Sequence, residues 1–284
     1  MPTLVQTIAQ ARPLIAKARA GGATVGFVPT MGALHSGHAA LMQSCRRECG
    51  LAVASIFVNP TQFAPTEDLE RYPRTLESDL EICRQAGVDL VFHPTPRDMY
   101  PNGLASTFVE TPAFSSILEG AVRPGHFRGV ETVVLKLFAI IQPDVAYFGQ
   151  KDFQQLVVIQ RMVDDLRLPV EIRAHPTARE ADGLALSSRN RYLNPHQRSS
   201  APTLYQALLR ARAAVQAGLA SGDRVRQILR ETLESTPGIV TEYAEVVDDR
   251  TLEPLDNLEG RSAIALVAAR LGSTRLIDNL YLRE

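Results

Sequence analysis

The sequence predicts an α/β protein: a parallel β-sheet covered by helices on both faces, followed by a smaller α+β domain. Three observations predict it. Short apolar runs rich in β-branched residues alternate with segments of helical spacing, the pattern of parallel strands buried on both sides. The runs end in turns before the next element begins. After about residue 190 the texture shifts to Ala- and Arg-rich helical segments and then three strand-like runs. The expected division is residues 1–177 for the sheet domain and 178–284 for the small one.

Taken in order, "MPTLVQTIAQARPLIAKARAGG" lacks the continuous apolar core of a signal peptide and reads as a first helix. "ATVGFVP" is a strand that passes through a glycine-bearing turn into the helix "HAALMQSCRREC". "LAVASIFVNP" is a second strand, stopped at Asn59-Pro60 because proline cannot continue a ladder. "LESDLEICRQAG" is a helix closed by Gly87, and "VDLVFHP" the strand after it. The helix "GVETVVLKLFAIIQ" precedes the strand "DVAYFG", and the helix "KDFQQLVVIQRMVDDL" precedes the strand "VEIRAHP". Asn194-Pro195 then reads as a cap with proline at the first helical position, opening one long helix to about Gly218. Asp223 begins another helix, which runs to about Ser235 and is stopped by Pro237-Gly238. "IVTEYAEVVD", "SAIALVAARL" and "TRLIDNLYL" are three strands with turns at Asp248-Asp249 and Gly272-Ser273.

Bulk properties narrow the function. A formal charge of -1 gives no global basic field, so nucleic acid is not an expected partner. The longest apolar runs are too short to span a bilayer, so no membrane association is expected. Three cysteines without framework spacing read as free thiols, and the expected location is the cytoplasm.

Three segments could handle an anion. "HSGH" follows a strand and opens a helix, where free N–H groups and the helix dipole favour negative charge. His35 and His38 stand three apart and face the same way, able to donate to phosphate oxygens, while Gly37 admits a flat ring. Phosphate binding, a metal site and an ordinary helix start all remain open for this motif alone. "GQKDFQQL" also follows a strand; Lys151 offers a compact cation, and Asp152 and Gln155, three apart, suit hydroxyls. "DGLALSSRNRYL" sets two serines beside Arg189 near the domain boundary, as a phosphate clamp or a polar linker. Together they favour nucleotide use. "FVNPTQF" adds Asn59 and Gln62, amides suited to a carboxylate with hydroxyls. "EGAVRPGHFRGVET" adds Arg123, His126 and Arg128 in a Pro/Gly-bracketed loop.

The motifs "PTMGALHSGH", "SIFVNPTQF", "YPRT", "RPGHFRGV", "YFGQKDFQQL" and "DGLALSSRN" occur in one order over nearly the whole chain. In these the sequence closely resembles the pantothenate synthetase (pantoate–β-alanine ligase) family of HxGH nucleotidyltransferases. The resemblance implies a Rossmann-like doubly wound parallel sheet, a C-terminal α+β lid domain and a homodimer. It implies ATP as co-substrate, Mg²⁺, and two steps: pantoate attacks the α-phosphorus to give pantoyl adenylate and pyrophosphate, and β-alanine then displaces AMP to give pantothenate.

Residue by residue, the resemblance implies an ATP-binding loop of Met31, Gly32, Ala33, Leu34, His35, Ser36, Gly37 and His38. His38 matches a residue usually assigned as proton donor, and stabilisation of phosphate charge is the role favoured for it. Gly149, Gln150, Lys151 and Asp152 match the second ATP segment. Ala178 matches a backbone contact to adenine, and Leu186, Ser187, Ser188 and Arg189 match a phosphate clamp. His38, His35 and Lys151 are the expected catalytic groups. Gln62 matches a contact to both pantoate and β-alanine, and Gln155 a pantoate ligand. Asn59, Tyr72 and Arg123 fall near the pocket, and Asp79 is a magnesium neighbour. Ser36 and Gln150 stand where the family often has glutamate, and Ala178 where it often has valine or methionine. Two other readings share parts of this pattern: a nucleotidyltransferase that leaves a stable nucleotidylated product, and a non-enzymatic nucleotide sensor.

Overall fold

The computed structural model describes residues 1–64, 69–104 and 107–283, which fall into two compact units. The first comprises Met1–Gly149 and Gln154–His175; the second comprises Gln150–Phe153 and the chain from Pro176 onward.

The first unit is a six-stranded, wholly parallel sheet. Its strands are β1 (Thr3–Val5), β2 (Val25–Thr30), β3 (Leu51–Ile56), β4 (Leu90–Phe92), β5 (Val145–Gly149) and β6 (Glu171–His175), in the order β1-β4-β3-β2-β5-β6. The helices are α1 (Ile8–Ala20), α2 (Ser36–Glu48), α3 (Leu76–Gln85), the short α4 (Pro96–Met99), α5 (Pro112–Ser115) and α6 (Glu119–Val122), then α7 (His126–Ile141) and α8 (Phe153–Asp165). The expected parallel α/β sheet is present. Strand order reverses at β2: the chain moves outward through β3 and β4, then returns to place β5 on the other side. Ligands of such sheets sit at the carboxyl ends of strands beside that reversal.

Two differences from the expected elements have local causes. The N-terminal segment is a strand followed by a helix, because Thr3–Val5 pairs with β4 before Thr7 and Gln10 form the capping box that starts α1. Among the described residues between β4 and α7 there are three one-turn helices, too short for periodicity to reveal.

Helix α2 lies against β2 at Gly26. A Cβ on that residue would stand 2.5 Å from the Cys45 Sγ and 2.6 Å from the Cys49 Sγ. All three cysteines are buried and free. Burial pushes the Cys45 and Cys83 thiols up to about 12, with neighbouring Cys49 and Asp79 respectively adding to the shift. Since the thiolate is the nucleophile, neither should be alkylated by a maleimide at pH 8 while the chain is folded. Both should react at once in denaturant. Mass mapping that finds them modified at the unfolded rate in the native protein would contradict this packing.

The second unit holds α9 (Pro195–Ser200), α10 (Thr203–Gln216) and α11 (Gly222–Glu234), and an antiparallel sheet of β7 (Ile239–Asp248), β8 (Ala263–Leu271) and β9 (Thr274–Arg283) in that order. Leu204, Leu208, Leu229 and Leu233 of the helices pack on Ala265, Val267 and Ala269 of β8. The single long helix expected from Asn194 to Gly218 is instead two. Pro202 lacks an N–H, so the ladder resets at Ala201-Pro202 and α10 starts afresh at Thr203. Among the described residues no helix is long and apolar enough to cross a membrane.

Candidate active site

In the first unit the motif sits where the fold predicts a ligand. Strand β2 ends at Thr30, residues 31–35 form the turn, and α2 begins at Ser36 with His35 as its cap. The Thr30 hydroxyl ties the turn to the sheet, donating to the Ser55 carbonyl at 2.7 Å while accepting the Gly32 N–H at 3.2 Å. Gly32 and Ala33 both have left-handed backbone, with φ of 80° and 50°. For alanine this conformation is strained, so something must hold it.

That something is Asp79, whose side chain reaches under the turn from α3. One carboxylate oxygen accepts the Ala33 N–H at 3.1 Å, the other the Leu34 N–H at 2.8 Å, and the Thr75 hydroxyl lies 3.2 Å from both. The residue is only 1% exposed. Its oxygens are thus engaged by the turn, and the expected magnesium role gives way to that of a clamp on Ala33 and Leu34. Asp79→Asn would set an amide N–H₂ against backbone donors. It should cost about 1–3 kcal/mol of stability, the scale for an unsatisfied buried group, and lower the affinity of the turn for an anionic ligand disproportionately. Equilibrium unfolding and anion-binding titration check this; unchanged values in both would mean the turn holds itself.

The two histidines each accept a backbone N–H through Nδ1. The His35 Nδ1 accepts the Gly37 N–H at 3.2 Å, and the His38 Nδ1 accepts the His35 N–H at 3.3 Å, a capping box made of imidazoles. A ring nitrogen that accepts carries no proton, so each neutral ring carries its proton on Nε2. The rings lie side by side, centroids 4.1 Å apart. Ser36 between them is exposed. Among the described residues no group of three His, Cys, Asp or Glu is placed to hold a metal ion, which disfavours the metal alternative for this motif.

The amide residues form a second cluster in the same unit. Asn59 uses its whole amide: Nδ2 donates to the Gln62 Oε1 at 3.1 Å and the Gly129 carbonyl at 3.0 Å. Its Oδ1 accepts from the Tyr100 hydroxyl at 2.7 Å and the Thr61 hydroxyl at 3.0 Å. Burial raises the Tyr100 phenol above its ordinary range, keeping it a neutral donor. Asn59 is 1% exposed and acts as a holder of Gln62. The Gln62 Nε2 lies 3.1 Å from the Met31 Sδ, joining this cluster to the turn that leads into α2. The His126 Nδ1 stands 2.9 Å from the Gln62 carbonyl, and the Arg123 guanidinium 2.9 Å from the His126 Nε2. Tyr72 is buried, its ring edge-on to Phe63 at 5.8 Å. Gln155 is half-buried in the first turn of α8. Gln154 beside it is a structural pin, accepting from the Glu119 N–H and donating to the Phe114 and Ile117 carbonyls.

In the second unit, Gln150–Asp152 forms a 3-10 turn and α8 starts only at Phe153. Asp152 closes that turn, and Gln155 belongs to the first turn of α8. The Lys151 Nζ is 3.7 Å from the Asp152 Oδ1, with the lysine side chain 21% exposed. Gly149 ends β5 in the first unit. Ser187 caps the turn Ser188–Tyr192, accepting the Arg189 N–H at 3.2 Å. The Leu186 N–H donates to the Ala178 carbonyl at 2.9 Å, so these two expected nucleotide contacts close one small hairpin. Sequence reasoning missed Tyr100, Gly129, Gln154, Arg179, Asp278 and Asn279. Each acts through a partner distant in sequence, which spacing does not encode.

A reversed parallel sheet carrying a donor-lined helix start at its switch strand defines the class: a Rossmann-like α/β protein of the kind that binds nucleotides. The chain belongs to the pantoate-beta-alanine ligase family, whose model matches residues 3–281. It is 54% identical over 279 residues to the pantothenate synthetase of Chloroflexus aggregans, covering 98% of this chain and 99% of that protein. Among solved structures, the pantothenate synthetase from Thermus thermophilus aligns with a TM-score of 0.93 at 48% identity, covering 99% of this chain and all of that one. The pantoate-beta-alanine ligase from Francisella tularensis, complexed with Beta-gamma ATP and beta-alanine, aligns with a TM-score of 0.80 at 34% identity over 99% of this chain and 98% of that one.

Proposed function

We propose that this chain condenses pantoate with β-alanine at the expense of ATP, releasing AMP and pyrophosphate through a pantoyl adenylate. The observation that carries the reading is the imidazole capping box at the sheet's switch strand, which sets the His35 and His38 rings side by side at a helix N-terminus. The family membership and the ATP- and β-alanine-bound relative support it.

In the first step a pantoate carboxylate oxygen attacks the α-phosphorus, and the bond to the β-phosphate bridging oxygen breaks as pyrophosphate leaves. The carboxylate is already ionised, so no proton need move; the work is holding the groups and stabilising charge. His35 and His38 donate to phosphate oxygens together with the N–H groups of the first turn of α2. Lys151 adds a cation, and Ser187, Ser188 and Arg189 clamp the phosphates, while the segment from Met31 to His38, Gly149 to Asp152, Ala178 and Leu186 contact the nucleotide. Gln62 and Gln155 hold pantoate by amide hydrogen bonds. In the second step the β-alanine amine, held by Gln62, attacks the acyl carbon as its free base, the bond from that carbon to the phosphate oxygen breaks, AMP departs and the nitrogen's proton passes to solvent. No carboxylate cage for Mg²⁺ is built from the described residues, so Mg²⁺ belongs to this reading as the counter-ion of the nucleotide. The assembly is a homodimer, testable by sedimentation equilibrium.

Mass spectrometry of a reaction with ATP, pantoate and β-alanine tests the proposal. AMP and pantothenate in equal amounts are the expected products. A stable nucleotidylated product, or ATP bound without turnover, would replace it with the transferase or the sensor.

A further inference from the structure

The motif "TRLIDNLYL" has no part in the chemistry above, yet it reaches both phosphate-directed segments of the second unit. The Asn279 Nδ2 donates to two successive carbonyls, of Gln150 at 2.9 Å and of Lys151 at 2.8 Å, spending both hydrogens of one amide on the turn that carries the lysine. Asn279 is itself fixed. Its N–H donates to the Asp278 Oδ1 at 2.8 Å, and Asp278 receives a bidentate Arg179 at 2.6 and 2.9 Å. Arg179 also donates to the Asn279 carbonyl at 3.3 Å and stacks over the Tyr205 ring, 3.8 Å from its centroid. Arg179 bridges to Ala185, in the hairpin closed by the Leu186 N–H on the Ala178 carbonyl. An unbroken chain of hydrogen bonds thus runs from the Lys151 backbone to the segment bearing Ser187, Ser188 and Arg189.

Asp278 and Asn279 are 3% and 6% exposed. A buried ion pair contributes little net stability against an apolar replacement, because desolvation offsets the attraction. What it does supply is register. A planar fork on a carboxylate admits one geometry, and here that geometry sets two segments distant in the chain against each other.

We propose that Asn279, fixed by the Asp278–Arg179 pair, is a positioning residue for the ligation: it holds the Gln150–Lys151 turn in register with the Leu186–Arg189 segment so that both address the phosphates of one nucleotide. This rests on the function proposed above. The side chain of Asn279 touches no substrate; it acts through Lys151.

The full-length chain tests it with Asn279→Ala and the isosteric Asn279→Asp, which keeps the shape but turns a carboxylate oxygen toward two carbonyls. Both should lower kcat/KM for ATP by about tenfold or more, the scale of a slightly misplaced group, with KM for pantoate within about twofold of wild type. Asn279→Asp should be at least as impaired as Asn279→Ala. In a Lys151→Ala background the Asn279→Ala effect should largely vanish, as for residues acting as one unit. A purely structural role predicts instead a loss that follows the melting temperature, touches every substrate equally and adds to that of Lys151→Ala; that result overturns the proposal. If Asn279→Ala does not fold, Arg179→Lys, which keeps the charge but loses the fork, should show the same ATP-selective loss. Absence of wild-type turnover would be the failure of the ligase reading alone. Calorimetric binding of Mg²⁺-ATP by the same variants then decides: binding weakened about tenfold supports the positioning role, and unchanged binding overturns it.

Discussion

Lys151→Ala should slow adenylate formation by about a hundred-fold or more, and His38→Ala by a similar factor, the scale of one lost donor to charge that develops in a transition state. The two substitutions should differ in what else they change. The Lys151 side chain is partly exposed and its ion pair is with Asp152, an interaction that contributes little to folding at a surface; Lys151→Ala should unfold with the wild-type midpoint. His38 also accepts the His35 N–H, so His38→Ala removes half of a capping box and should cost about 0.5–2 kcal/mol of stability. Single-turnover pyrophosphate release, read beside thermal unfolding, separates the contributions. Near-wild-type release in both variants would remove these residues from the phosphate-stabilising role.

Gly129→Ala should be the most damaging change outside the nucleotide segments. A Cβ there would lie 2.5 Å from the Thr61 carbonyl oxygen, 2.6 Å from its carbon and 2.7 Å from the Gln62 Cα. These are backbone atoms of the turn Pro60–Gln62 and cannot rotate away. Helix α7 must therefore retreat, breaking the bond from Asn59 to the Gly129 carbonyl and the contact of His126 with the Gln62 carbonyl. Overpacking of this kind costs about 1–3 kcal/mol, partly offset by alanine's better helix propensity of about 1 kcal/mol. The larger consequence is displacement of Gln62, and a shift near 1 Å can cost about a hundred-fold in rate. Turnover with pantoate and with β-alanine should fall together while ATP binding is nearly retained. A variant with wild-type kcat/KM for both acids would show that Gln62 does not need this seat.

Much of the fold was legible because its signals are local. The apolar runs of β2, β3 and β5 are uninterrupted since both faces of a parallel strand are covered, and glycine or proline close to their ends marks the turns. Proline at the first position of α9 announced that helix, whereas Pro202 was overlooked within a pattern that otherwise reads as continuous helix. The three residues of β1 are too few for periodicity; only β4 beside them makes them a strand.

The candidate site divides in the same way. His35, His38, Lys151 and the serine pair are readable as residue types suited to phosphate beside turns that follow strands or mark a domain boundary. Asn59 looked like a substrate ligand because amides suit carboxylates, but its donors and acceptors are consumed by Gln62, Gly129, Thr61 and Tyr100. Asp79 looked like a metal neighbour because it is a carboxylate near the pocket, but it is spent on the Ala33 and Leu34 N–H groups.

The sequence by itself therefore determined the α/β class, the family and the residues of phosphate-binding type, since side-chain periodicity and turn chemistry act over a few residues. Only the tertiary structure decided which polar groups remain for a ligand and which hold the others in place. Asn279 meets Lys151 across 128 residues and Asp79 meets Ala33 across 46. Such meetings depend on how strands cross over and which edges they join, and no local pattern carries that information.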